Sequence, residues 1–219
     1  MSLIALAPDL PYRLQRIMCI GAHADDIEIG CGGTVLTMSR ANPNLEVDWV
    51  VLSAEGERAD EARAGAAQVL EATKDARVRI EEFPQRYFPG AFTDLKLYFD
   101  DLGRETMPQA VFCPRLDDMH QDHRIVAELV WQTFRSQFVL EYEIMKYEGD
   151  LGRPTTFVEL SRDVADDKIR LLLETFVSQR DRYWFDEETF RGLLRIRGIE
   201  GRVASGYAEA FHTRKLRLW

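Results

Sequence analysis

Residues 16–33 read RIMCIGAHADDIEIGCGG, an apolar run followed by a histidine, two aspartates and a glycine-rich turn. The apolar part, residues 16–21, predicts a short buried strand that ends at a glycine. The charged residues come directly after it. Because open α/β sheets bind their ligands beyond the carboxyl ends of the strands, this segment predicts both a type of fold and the position of a site.

Strand and helix patterns alternate along the rest of the chain. The alternation is typical of a mostly parallel sheet covered by helices on both faces, so we expect an α/β fold. A chain of 219 residues without an evident linker or repeat predicts one domain over residues 1–219. Further strands are predicted at residues 47–52, 78–83, 110–113, 142–147 and 156–160, and helices at 34–40, 60–72, 92–102, 123–134, 163–179 and 187–195.

The composition restricts the classes of function. The net charge of −9 disfavours a nucleic-acid partner, because counterion release from nucleic acid needs a basic surface. No apolar run approaches the roughly 18 residues that span a bilayer, and residues 1–11 lack the regions of a signal peptide. Cys19, Cys31 and Cys113 predict buried thiols and not a disulfide framework. We therefore expect a cytoplasmic protein without a membrane span.

The loop after the first predicted strand carries His23, Asp25 and Asp26. Unit charges about 4 Å apart repel by about 4 kcal/mol at an effective dielectric constant of about 20. A divalent metal would offset this repulsion most directly, and imidazole with carboxylate ligation suits zinc. With His23 and Asp26 on the metal, Asp25 becomes a candidate general base.

Two alternatives for this loop remain open. The aspartates of a strand-to-helix turn also cap the N–H groups of a helix, which requires no metal. A glycine-rich loop after a strand, with Glu55 further along the chain, also suggests a dinucleotide site, although the glycine spacing at residues 30–33 does not fit that motif.

A second cluster, Asp118-Met-His120-Gln-Asp122-His123, follows the predicted strand at residues 110–113. His120 and His123 are three residues apart, so on a helical turn they share a face. Asp122 lies between them and is suited to orient one imidazole by a hydrogen bond. His123 would be the third metal ligand, and His120 would stabilise an oxyanion and protonate the leaving amine. By itself the cluster also fits a solvated polar loop. The presence of both clusters favours a metal hydrolase.

The two clusters resemble the motifs of the LmbE-like, or PIG-L, superfamily of zinc-dependent deacetylases. Residues 22–26, AHADD, are similar to its A-H-P-D-D motif with alanine in place of proline. Residues 120–123, HQDH, are similar to its H-P-D-H motif with glutamine in place of proline. Residues 58–61 resemble its R-x-x-E segment, and residues 178–179 and 207–211 resemble its S-Q and Y-A-E-x-F signatures.

This resemblance implies a Rossmann-like, mostly parallel sheet flanked by helices, with a small C-terminal lobe that closes the substrate cleft. It also implies one zinc ion per chain, or another divalent metal, held by His23, Asp26 and His123. Relatives in this family often form trimers or hexamers, so the resemblance allows a homo-oligomer.

The resemblance also implies the roles of the residues around the metal. Asp25 would be the general base on the zinc-bound water, and His120 would be the electrostatic stabiliser and acid. Asp122 would tune His120, and Arg58 would contact the substrate.

The sequence therefore predicts a zinc-dependent hydrolase that removes an N-acetyl or other N-acyl group from a small-molecule amino-sugar conjugate. One alternative is an amidase that uses the same metal site on a larger acyl or carbamoyl group. Another is a non-catalytic sugar- or nucleotide-binding protein. His212 and the cluster Tyr183-Trp184-Phe185 carry no motif, so substrate contact and ordinary surface or packing roles both remain open for them.

Overall fold

The computed structural model describes residues 13–216, so the N-terminal segment considered for a signal peptide lies outside the described residues. Within this range the chain forms seven strands and six α-helices. The strands are β1 (Arg16–His23), β2 (Glu46–Ser53), β3 (Asp75–Ile80), β4 (Ala110–Pro114), β5 (Phe138–Tyr142), β6 (Thr156–Leu160) and β7 (Tyr207–His212). The helices are α1 (Asp26–Ala41), α2 (Glu57–Val69), α3 (Phe92–Glu105), α4 (Gln121–Thr133), α5 (Arg162–Thr175) and α6 (Glu187–Gly201).

All seven strands belong to one sheet, in the order β3-β2-β1-β4-β5-β7-β6. Strands β1 to β5 run parallel, and β7 is antiparallel to both β5 and β6. The expected α/β fold with a mostly parallel sheet flanked by helices is confirmed. The C-terminal elements β6, α5, α6 and β7 form the smaller part of the fold and extend the same sheet.

Strand β1 shows why the sheet is covered on both faces. Its residues alternate between two hydrophobic clusters: Ile17 and Cys19 belong to one, and Met18 and Ile20 to the other. Because successive side chains of a strand point to opposite faces, a strand buried on both sides is a continuous apolar run. No helix between residues 13 and 216 is both long and apolar enough to span a bilayer.

Helix α1 begins at Asp26, eight residues earlier than the sequence pattern predicts. Asp26 in its first turn interacts favourably with the helix dipole. The glycines inside the helix, which suggested a loop, are needed for close packing. A Cβ at Gly30 would collide with the ring of Tyr142, and a Cβ at Gly33 would lie 2.6 Å from Leu160 Cδ1. Because these glycines fit inside the helix, the helix begins at Asp26, close to the end of β1 at His23.

Strand β7 was not predicted, because Glu209 interrupts its apolar residues. The structure shows how this carboxylate is buried. Glu209 Oε1 accepts hydrogen bonds from Gly33 N at 2.8 Å and Lys168 Nζ at 2.5 Å, and Oε2 accepts one from Thr34 N at 2.7 Å. Lys168 Nζ also donates to Ile29 O at 2.6 Å. The ion pair thus fastens β7 and α5 to the middle of α1.

We expect Lys168→Met to destabilise the fold by about 3–5 kcal/mol, because removal of one partner leaves a buried, unpaired charge. The side chains of Lys168 and Glu209 are 4% and 2% exposed. The matched control is Lys96→Met, which removes a more exposed lysine paired with Asp100 and should cost about 0–1 kcal/mol. Urea unfolding followed by circular dichroism measures both. If both variants lost the same small amount of unfolding free energy, the buried pair would contribute no more to stability than the surface pair.

Candidate metal centre

The two histidine clusters meet at the carboxyl end of the parallel strands. His23 is the last residue of β1, and the second cluster follows β4, which is the direct neighbour of β1. The strand order reverses between β1 and β4, because β2 and β3 lie on the other side of β1. This is the position at which open α/β sheets form their ligand crevice.

Three donor atoms from His23, Asp26 and His123 converge there. His123 Nε2 is 3.3 Å from His23 Nδ1 and 3.3 Å from Asp26 Oδ2, and His23 Nδ1 is 3.5 Å from Asp26 Oδ2. Ligand atoms of a tetrahedral zinc site with bonds of about 2.0–2.1 Å lie about 3.3–3.4 Å apart. All three side chains are buried. The spacing of these atoms therefore matches that of one shared cation.

A carboxylate lies behind each of these two imidazoles. His23 Nε2 is 3.0 Å from Asp122 Oδ2, and His123 Nδ1 is 3.0 Å from Asp118 Oδ2. A neutral ring donates its one N–H to such a carboxylate, so its other nitrogen presents a lone pair. In metal sites these hydrogen bonds fix the orientation and tautomer of the ligating histidines. Here they direct the free nitrogens of both rings towards Asp26.

The buried carboxylates favour a positive charge at this point. Burial lowers the pKa of His123, but Asp26 and Asp118 outweigh burial and raise it to about 10. Burial raises the pKa of Asp26, but His123 and His23 outweigh burial and hold it well below its ordinary value. A divalent cation would supply this positive charge.

His120 belongs to the same group, since its ring offers a nitrogen within 4.8 Å of nitrogens of His23 and His123. Geometry alone therefore also allows a centre of three histidines. However, His120 Nδ1 accepts a hydrogen bond from Asp122 N at 3.2 Å. A neutral ring that accepts at Nδ1 carries its hydrogen on Nε2 and has no free lone pair for a metal. Burial, followed by His123 and His23, lowers the pKa of His120.

The carboxylate of Asp122 contacts an imidazole other than that of His120. Its carboxylate binds His23 and not His120, and only its backbone amide contacts the ring of His120. The amides of Arg86 and Phe88, from the loop before α3, donate to its two carboxylate oxygens at 2.6 Å and 3.2 Å. These donors turn the carboxylate away from His120, which is two residues away in the chain. Asp122 therefore orients the imidazole of the first cluster.

Asp25 lies beside the centre and is held by Arg58. Arg58 Nη2 donates to Asp25 Oδ1 at 2.6 Å, and Arg58 Nη1 donates to Glu61 Oε2 at 3.1 Å and to Ser178 Oγ at 3.2 Å. Ser178 N and Oγ also donate to the carboxylate of Glu61, at 2.7 Å and 2.6 Å. Three segments that are distant in the chain therefore meet at Arg58.

Some residues of this region were not identified from the sequence. Asp118 belongs to the second cluster but has no role in the sequence-based prediction, although its position two residues before His120 is a signal. Lys146 and Asp150 are absent from that prediction, yet Lys146 Nζ donates to Asp118 Oδ2 at 2.9 Å and to Asp150 Oδ1 at 3.0 Å. Neither residue belongs to a recognisable motif, so only the fold reveals them.

His212, Trp184 and Phe185, whose roles the sequence leaves open, contact other side chains of the protein. His212, at the end of β7, lies 3.8 Å from Glu143 Oε1 through its Nε2. Trp184 and Phe185 pack edge-on against Phe190 of α6, whereas Tyr183 is exposed. These contacts favour the packing interpretation for the aromatic pair.

Comparisons with known proteins agree with this description. The family described as PIG-L: GlcNAc-PI de-N-acetylase matches residues 18–134, which contain both clusters. The N,N'-diacetylchitobiose deacetylase from Pyrococcus horikoshii has a similar structure, with a TM-score of 0.67 at 18% identity over 94% of this chain and 86% of that one.

Two further solved structures are similar over almost their whole length. The conserved protein TT1542 from Thermus thermophilus has a TM-score of 0.72 at 20% identity, over 94% of this chain and 97% of that one. GalB, the 4-carboxy-2-hydroxymuconate hydratase from Pseudomonas putida, has a TM-score of 0.72 at 19% identity, over 93% and 98%. At these identities the similarity establishes a shared fold.

Proposed function

The chain belongs to the PIG-L family, and from this premise we propose that it is a zinc-dependent hydrolase that removes an N-acetyl or other N-acyl group from an amino-sugar conjugate. One observation carries the proposal: the donor atoms of His23, Asp26 and His123 have the spacing of ligands on one tetrahedral cation. The deacetylase from Pyrococcus horikoshii, which shares the fold, supports the same class of reaction.

We assign one zinc ion per chain to His23, Asp26 and His123. Two imidazoles and one carboxylate suit zinc, and the carboxylates of Asp118 and Asp122 already hold both rings in place. When bound, zinc supplies a Lewis acid that acidifies a water molecule and polarises the amide carbonyl. The same donor set also accepts other divalent metals.

Asp25 is the proposed general base. Its carboxylate is next to the ligand Asp26 in the chain, and the hydrogen bond from Arg58 Nη2 holds it in one orientation. As the oxygen of water attacks the amide carbonyl carbon, Asp25 takes up one proton of that water. The side chain of Arg58 is 24% exposed, so part of the guanidinium is free to contact the substrate, as the family resemblance implies.

His120 is the proposed oxyanion stabiliser. Its Nδ1 accepts from Asp122 N, so its Nε2–H is available to the oxygen of the tetrahedral intermediate. The leaving nitrogen receives one proton. His120 remains the proposed acid that delivers it, as the sequence predicts, and the proton that Asp25 has taken up restores that of His120. The C–N bond then breaks to give acetate and a free amine.

We also propose that residues 1–219 act as a single domain and that the protein works in the cytoplasm. The first proposal is supported by one continuous sheet in residues 13–216. The second is supported by Cys19, Cys31 and Cys113, which are free, buried thiols.

A panel of N-acetylated amino-sugar conjugates tests the reaction. We expect zinc-loaded protein to release acetate and a free amine in equal amounts from at least one of them. N-propionyl and N-carbamoyl analogues of that substrate distinguish an amidase for larger groups. GalB, which shares the fold, is a hydratase, so loss of substrate alone would not identify the reaction. Conversion without a new amine would contradict the proposal.

Removal of the metal gives a second test. We expect chelated protein to keep its far-ultraviolet circular dichroism and to lose activity, which zinc restores. The hydrophobic core is large, so the fold does not depend on the metal. Zinc at a free concentration of about 100 Kd should add only about 2.7 kcal/mol to the free energy of unfolding. Full activity of the chelated protein would contradict a metal-dependent mechanism.

A further inference from the structure

Lys146 and Asp150 form a buried ion pair on the segment between β5 and β6, outside the residues that match the family. The side chains of both residues are 9% exposed. Lys146 Nζ lies 2.9 Å from Asp118 Oδ2 and 3.0 and 3.1 Å from the two carboxylate oxygens of Asp150. A lysine this buried needs carboxylate partners, and here one of them is the residue that supports His123.

The pair holds the loop that carries the second cluster. Asp150 Oδ2 accepts a hydrogen bond from Met119 N at 2.7 Å, and Asp118 Oδ1 accepts one from His120 N at 2.7 Å. Lys146 binds the side chain of Asp118, the first residue of this loop. Asp150 binds the backbone amide of Met119, the second residue. The third residue, His120, is therefore fixed between Asp118 and the start of α4.

We propose that Lys146 and Asp150 are positioning residues of the metal centre. Lys146 holds Asp118 in the position from which its carboxylate directs the ring of His123, and Asp150 holds the backbone that presents His120. This inference rests on the proposed metal centre and adds to it a segment from the C-terminal part of the fold.

Removal of the charge of Lys146 and removal of its hydrogen bond should change the metal affinity in opposite directions. Whether the affinity rises or falls in a variant therefore identifies the role of Lys146. Loss of the Lys146 ammonium removes a positive charge near the centre, and this alone would strengthen the binding of a divalent cation. Loss of its hydrogen bond removes one of the contacts that hold the Asp118 carboxylate against the ring of His123. Removal of a partner that orients a ligand typically weakens metal binding about 10–100-fold. Positioning therefore predicts weaker binding.

Cobalt(II) titration of the metal-free protein tests the inference without any substrate. We expect Lys146→Met to bind Co²⁺ about 10–100-fold more weakly than the natural chain. The visible spectrum of its Co²⁺ complex should also change, because the geometry of the ligands is altered. Lys146→Arg, which keeps the charge and donors, should restore both. Lys96→Met is the matched control and should change neither, since Lys96 pairs with Asp100 on α3.

Asp150 provides an independent pair of variants. Asp150→Asn keeps an oxygen that accepts from Met119 N, whereas Asp150→Ala removes it. We expect Asp150→Ala to weaken Co²⁺ binding more than Asp150→Asn does. The effects of Lys146→Met and Asp150→Ala should be less than additive in the double variant, because both act on one loop. These variants keep the test valid if Lys146→Met fails to fold.

The outcomes separate this inference from the proposed function. Unchanged or tighter Co²⁺ binding in Lys146→Met, with an unchanged spectrum, would overturn the positioning role and leave the metal centre intact. A natural chain that binds no Co²⁺ would overturn the metal centre and this inference together. Normal Co²⁺ binding without any deacetylation would overturn the proposed reaction alone.

Discussion

Asp25→Asn will lower kcat by about 10²–10⁴-fold, the usual contribution of a general base, while the protein still binds one zinc ion. The amide oxygen of asparagine accepts the hydrogen bond from Arg58 Nη2, so the local structure is kept. The amide accepts no proton from water, so only the chemical step is slowed. Steady-state kinetics of acetate release and metal analysis of the same sample measure the two effects.

Asp60→Asn is the matched control for this variant. Asp60 is an exposed carboxylate on α2 that pairs with Arg63, so its replacement should leave kcat within about twofold. An Asp25→Asn variant with nearly normal kcat would remove Asp25 from the mechanism. A variant that lost its zinc as well would show that Asp25 contributes to metal binding.

His123→Ala will abolish activity and weaken zinc binding by more than about 100-fold. Loss of a residue that only supports a ligand already costs about 10–100-fold, and loss of the ligand itself should cost more. The substitution also leaves Asp26 and Asp118 without the imidazole that lies between them. Competition with a coloured chelator measures the affinity. His212→Ala is the matched control, because His212 lies beside Glu143 at the end of β7.

A comparison of Asp26→Ala with His120→Ala distinguishes the two ligand sets that the geometry allows. The hydrogen bond from Asp122 N to His120 Nδ1 predicts that His120→Ala lowers kcat and keeps zinc affinity. Asp26→Ala should lose zinc as severely as His123→Ala. Loss of zinc in His120→Ala, with zinc affinity kept in Asp26→Ala, would favour a centre of three histidines.

Strands β1, β2, β4 and β6 and most of the helices could be predicted from local patterns. The strand predicted at 78–83 lies at Asp75–Ile80, and the strand predicted at 142–147 was misplaced, since β5 is Phe138–Tyr142. Strand β7 could not be predicted in this way. Glu209 within it is compatible with burial only because Lys168 and two amides of α1 reach it from other parts of the chain. The early start of α1 could not be predicted either, since the glycines that suggest a loop are required by Tyr142 and Leu160.

The chemical identity of the candidate site was present in the sequence. His23 ends β1, Asp25 and Asp26 follow it, and His120 and His123 follow β4. These side-chain types were enough to suggest a metal. The tertiary structure determined which of these groups contact each other. It placed the Asp122 carboxylate on His23, the Arg58 guanidinium on Asp25 and the Lys146 ammonium on Asp118.

The physical reason for this division is the range of the interactions. The residue types that suit a cation, and the periodicity that buries a strand, are local properties that a sequence displays directly. A hydrogen bond depends on atoms within about 3 Å of each other, and only the order β2-β1-β4-β5 brings residues 23, 58, 118 and 146 to one end of the sheet. The sequence by itself determined the donors and the class of fold, and the packing of the sheet determined their partners.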